Sequence, residues 1–169
     1  MLPYVLLVVA LMSCAAFAMC RQRAVAAADG ALSTLHSRPF YHGLYGFLWV
    51  AIAGFGAFIL VNIVGTSIMT SVIAGQIAEL APELRPIEQS LVFSDAVKIA
   101  SGGLASTTDE LRETIAESYA STNTTRVIVV ALAGLAAASS TFYLVFNQVG
   151  RAFRARNRAE RILRTVLWT

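Results

Sequence analysis

The chain has 169 residues, 57% of them apolar and only 14% charged, and its mean hydropathy is +0.66. That balance excludes a water-soluble domain of ordinary make-up and places the chain among membrane proteins. The net charge of +3 conceals a segregation, with basic residues in two blocks and acidic residues in a third.

The first run, residues 1–20, carries no charged side chain from Leu2 to Cys20 and is about as long as a helix needs to cross the hydrocarbon core of a bilayer. Arg21 and Arg23 close it. A secretory leader would place basic residues ahead of the apolar stretch, whereas here they follow it. Cys14 and Cys20 lie too far apart around a helix to face each other, so no disulfide between them is expected.

Residues 21–43 read as a loop. Within LHSRPFYHGLYGFLW, Leu35–Trp49, the two histidines His36 and His42 have no carboxylate or cysteine nearby and make a poor metal site. Pro39 and Gly43 are expected to turn the chain into the next span, with Tyr41, Tyr45 and Trp49 as aromatic anchors at the membrane interface. The second span, 44–75, exceeds one bilayer thickness. Its later half holds Asn62, Thr66, Ser67, Thr70 and Ser71, so the embedded part should end near Gly65 while the helix continues.

Between residues 76 and 126 the composition becomes polar and acidic: Glu79, Glu83, Glu88, Asp95, Asp109, Glu110, Glu113 and Glu117 face only Arg85, Lys98 and Arg112. Pro86 suits the first turn of a helix reaching about Ala100. Thr107 with Glu110 has capping-box spacing ahead of a helix to about Ala120, on which Leu111, Ile115 and Tyr119 form an apolar stripe. The carboxylates are spread along helix faces, without the dense spacing of a calcium loop.

The third span is 127–149. No span contains an ionisable residue in its interior, which argues against an ion or proton route through these helices alone. Small residues recur at four-residue spacing in Ala10, Cys14 and Ala18, in Ala53 and Ala57, and in Gly134 and Ala138, as helix contacts in lipid require.

Residues 150–169 read as an amphipathic helix. Ala152, Ala155, Ala159, Ile162, Leu163 and Val166 make one stripe; Arg151, Arg154, Arg158, Arg161 and Arg164 lie opposite, with Arg156 at the border. Such a helix rests on anionic lipid, each arginine contributing about 1 kcal/mol. Phe153 and Trp168 are the only aromatic residues nearby, too few for the stacking surface of a nucleic-acid binder. With Arg21 and Arg23 on the same side as the tail and the acidic block opposite, the positive-inside rule predicts an outer amino terminus and a cytoplasmic carboxyl terminus. The fold class expected is therefore all-α, with three transmembrane helices, an outer helical segment and a final basic helix.

Three stretches resemble the amino-terminal extension of long PstC-type permease subunits of the bacterial phosphate ABC importer. Leu35–Trp49, with Leu35, His36, Tyr41, His42, Gly43, Tyr45 and Trp49, resembles the entry to that extension's second helix. FRARNRAERILR, Phe153–Arg164, with Asn157 and Glu160 among its arginines, is similar to the segment preceding the permease core; DAVKIASGG, Asp95–Gly103, adds a weaker likeness.

The resemblance implies a bacterial inner-membrane protein working with a second permease subunit, a cytoplasmic ATPase subunit and a periplasmic phosphate-binding protein, with phosphate as cargo. It implies a domain for assembly, topology or regulation that leads toward a permease core holding the translocation path, so no phosphate-contacting residue carries over. A membrane-embedded sensor or signalling scaffold is the competing expectation, motivated by the outer helices and the basic amphipathic tail. No catalytic constellation, cofactor motif or metal-ligand set is present in the sequence, so no enzymatic role is expected.

Overall fold

A computed structural model describes residues 2–28, 37–105, 109–150 and 153–168. The described residues are all-α, with no strand: α1 (Leu2–Ala27), α2 (Pro39–Leu80), α3 (Pro86–Ala100), α4 (Glu110–Gln148) and α5 (Ala155–Leu167). The helices α1, α2 and α4 are long and apolar enough to cross a membrane.

Several helix ends depart from the sequence expectation. Arg21 and Arg23 end the apolar run but not α1, which continues to Ala27. Pro39 opens α2, where its missing N–H costs nothing, and Gly43 lies inside the helix instead of turning the chain toward it. Both α2, with 42 residues, and α4, with 39, run on as single helices of about 60 Å; the continuation of α2 is the expected one, whereas α4 joins into one helix the expected helix to about Ala120 and the span beginning at residue 127. Hydroxyl side chains permit this continuity. Thr66, Thr70, Ser71, Thr114, Thr124 and Thr125 each donate to the carbonyl four residues back, so their polarity is satisfied along the helix itself.

The residues cluster into two units, Met1–Ile59 with Ala131–Thr169, and Leu60–Val130. In the first, α1, α2 and α4 pack through small side chains. Ala16, Val50 and Ala138 form a buried cluster, and Gly54 lies so close to Val9 that a Cβ there would stand 2.6 Å from a valine methyl. Gly134 and Ala138 make the contact their spacing suggests. Ala10, Cys14 and Ala18 do not: they are exposed, and α1 buries Val9, Ser13, Ala16, Cys20 and Ala24 instead. Small size alone does not say which of two possible faces a neighbouring helix will choose.

In the second unit, Met69, Ile73 and Ile77 of α2 meet Val92 and Ala96 of α3 and Ile115 and Ala116 of α4. Each fully buried isoleucine contributes about 2 kcal/mol over an exposed one. Leu111 and Tyr119 join this core, as the stripe predicts, and the Tyr119 ring meets Phe93 edge-on at 6.2 Å. Asp95, 4% exposed, links two elements by accepting from Arg112 Nε at 3.2 Å while Lys98 Nζ lies 3.5 Å away.

Local caps fix the ends of α3. Glu88 accepts from the Arg85 backbone N–H at 2.8 Å and from its guanidinium at 2.7 Å, which holds the Glu88 carboxyl below its ordinary range. At the other end Gly102 adopts a φ of +75°, and Gly103 N–H donates back to Lys98 at 2.8 Å. Thr107 lies outside the described residues; Asp109 accepts from the Arg112 N–H at 2.9 Å at the start of α4.

Candidate functional site

Within the first unit, the end of α1, the start of α2, the end of α4 and all of α5 converge. Here the first and last of the resembling stretches, 119 residues apart at their hydrogen bond, pack against each other. Arg154 occupies the N-cap position of α5 without a side-chain cap bond, leaving the first turn in need of an acceptor. Ser37 supplies it: its hydroxyl accepts from the Arg156 N–H at 3.2 Å. The cap comes from a distant part of the chain.

Aromatic contacts extend the joint. Phe153 lies edge-on to Tyr45 at 5.0 Å between ring centres and tilted to His42 at 5.9 Å, while Tyr45 meets Trp49 at 6.4 Å. His42 is wholly buried, with Nδ1 3.4 Å from the Arg38 carbonyl oxygen, and Tyr45 also points its hydroxyl toward Gln148 Oε1 at 3.5 Å. Gly43 is buried because the Phe17 backbone passes over it; a Cβ there would stand 2.8 Å from the Phe17 carbonyl oxygen.

The arginines divide in two. Arg23 lies over the Phe146 ring at 4.4 Å and donates to the Val149 carbonyl at 3.3 Å, placing a cation at the negative end of α4. Arg156 pairs with Glu160 at 2.8 Å and reaches the Tyr41 face at 5.9 Å; Arg158 covers Phe153 at 4.8 Å. Arg21, Arg154, Arg161 and Arg164 are exposed, as is Asn157. Leu35, His36, Arg151 and Ala152 lie outside the described residues.

The apolar stripe of α5 is split as well. Ala155 and Ala159 are fully buried and Ile162 packs on the cluster of Cys20, Ala24, Tyr45, Val145 and Val149, so half of the stripe meets protein. Leu163, Val166, Leu167 and Trp168 are exposed. Sequence reading singled out the arginines and missed Ser37, Phe146 and Gln148, whose partners are remote in the chain and leave no local pattern.

Chemically this is a docking joint of rings, guanidinium groups and one borrowed cap. Among the described residues no group of three His, Cys, Asp or Glu side chains could hold a metal. In each of the three long helices only 17% of the most apolar stretch is buried, so their outward faces need lipid. The fold is that of a multi-pass helical membrane protein.

A family profile described as phosphate ATP-binding cassette transporter matches residues 6–169. The chain belongs to that family, so its place is in phosphate transport, as the resemblance implies. Comparison with curated proteins and with solved structures yields no match.

Proposed function

We propose that this chain is the amino-terminal membrane domain of a permease subunit of a bacterial phosphate importer, serving assembly, topology or regulation without forming the translocation path. The observation that carries the reading is the docking joint. The two more specific resembling stretches share one site, in which Phe153 is held by His42 and Tyr45 and α5 is capped by Ser37. A helix so fixed can set the position and direction of whatever it adjoins. The absence of ionisable residues inside the spans supports a supporting role over a conducting one.

In this reading the protein sits in the inner membrane with its amino terminus periplasmic and its carboxyl terminus cytoplasmic. The partners are the second permease subunit, the ATPase subunit and the periplasmic phosphate-binding protein. Residues 76–126 face the periplasm, and Arg21, Arg23 and the α5 arginines face the cytoplasm. Topology follows from the charge asymmetry across the spans.

The test is co-purification of the tagged chain from membranes of its own host, with phosphate uptake measured alongside. Recovery of the importer's other subunits, and impaired uptake when Phe153 is replaced by Ala, are expected. Recovery of a kinase or relay protein in their place would favour the sensor reading and overturn this one.

A further inference from the structure

We infer that the second unit carries a binding site for one phospholipid, built from Arg126 and the apolar groove beside it. The inference does not depend on the permease reading. Arg126 is the last charged residue before the uncharged stretch 127–149, and Asn62 carries the first side-chain amide after the apolar beginning of α2. Both sit where hydrocarbon gives way to headgroups.

Arg126 is held with unusual completeness for a half-buried arginine. One terminal nitrogen donates to Asn62 Oδ1 at 2.8 Å and to Thr66 Oγ1 at 2.9 Å. Nε and the other terminal nitrogen donate to Asn123 Oδ1 at 3.3 and 2.9 Å. Gly65 makes room for the stem, since a Cβ there would stand 3.0 Å from Arg126 Cγ. These contacts fix the guanidinium plane and use four of its five N–H groups.

All those acceptors are neutral. Among the described residues no carboxylate lies within ion-pair distance of Arg126, so its full positive charge is uncompensated at the edge of a low-dielectric region, where an unpaired charge is expensive. One N–H remains for an anion, and a phosphate oxygen suits it.

Next to this cation lies a groove of about 210 Å³ whose walls include Val61, Ile68, Met69, Val129 and Val130. A free inorganic anion would gain nothing from those walls. An amphiphile with a phosphate head and a hydrocarbon chain matches both halves, the phosphodiester on Arg126 and an acyl chain along the valines. The membrane leaflet supplies that molecule at high local concentration.

Native mass spectrometry of the full chain, released from vesicles of phosphatidylglycerol and phosphatidylcholine, tests the site. The wild-type protein should retain one phospholipid. Diacylglycerol, which shares the chains but lacks the phosphate, should bind about tenfold more weakly, as loss of one charge-assisted hydrogen bond requires. Arg126→Gln should reduce retention by a similar factor. Val129→Phe, which leaves Arg126 in place and fills the groove, should also reduce it.

Equal retention of diacylglycerol, or unaltered retention by both variants, would overturn the proposal. So would displacement of the lipid by millimolar inorganic phosphate, which would make the site one for the free ion. Should a variant lose helicity by circular dichroism, the wild-type comparison of phospholipid with diacylglycerol still decides the matter.

Discussion

Replacing Gly43 by alanine sets two effects of opposite sign against each other. Alanine inside a helix is favoured over glycine by about 1 kcal/mol through backbone entropy. The added Cβ, however, would lie 2.8 Å from the Phe17 carbonyl oxygen and 2.9 Å from its ring, so α1 must withdraw by about 0.6 Å to restore ordinary contact. Backbone cannot swing aside as a side chain can. Overpacking of this kind costs about 1 to 3 kcal/mol, so the net effect is a loss of up to about 2 kcal/mol.

Gly56 is the control, because it lies in the same helix and a Cβ there meets nothing within 4 Å. Gly56→Ala should stabilise by about 0.5 to 1 kcal/mol. The difference between the two variants isolates the helix contact from helix propensity. Unfolding of the purified chain in mixed micelles by increasing sodium dodecyl sulfate, followed by far-ultraviolet circular dichroism, measures both. If Gly43→Ala stabilises as much as Gly56→Ala, the close approach of α1 to α2 at Phe17 is refuted.

Ser37→Ala removes the remote cap of α5 and should cost about 1 kcal/mol. The Arg156 amide should then exchange hydrogen about fivefold faster, with Ser37→Thr restoring protection. Asp95→Ala removes the buried carboxylate that joins α3 to Arg112 of α4, while Arg112 keeps its pairing with Asp109. A loss of about 1 to 3 kcal/mol is expected in the second unit, as for one hydrogen bond between charged groups, seen as faster hydrogen exchange in α3; unchanged exchange would count against the ion pair. Replacing Arg154, Arg158, Arg161 and Arg164 together with glutamate should scramble the orientation of the third span. Reporter fusions at the carboxyl terminus read this directly, and unchanged cytoplasmic activity would contradict the charge argument.

The linear sequence is enough for the all-α class and for three helices apolar enough to cross a membrane, because hydropathy and charge act through composition over stretches of about 20 residues. It also determined α3, whose limits Pro86 and Ala100 follow from local signals, a proline suited to the first turn and the glycines beyond the end. The stripe of Leu111, Ile115 and Tyr119 was legible for the same reason, since periodicity is a property of neighbouring residues.

Which surfaces meet is set by packing in three dimensions. Sequence reading placed a contact on Ala10, Cys14 and Ala18, yet α1 buries the face bearing Val9, Ser13 and Ala16, because a helix rich in small residues offers more than one suitable side. Gly43 read as a turn, and its actual use is to admit the Phe17 backbone, a partner 26 positions earlier. The cap from Ser37 to Arg156 and the clasp of Arg126 by Asn62 join residues 119 and 64 apart. Hydrogen bonds and ring contacts act over a few ångströms whatever the chain distance, so no window along the sequence contains them.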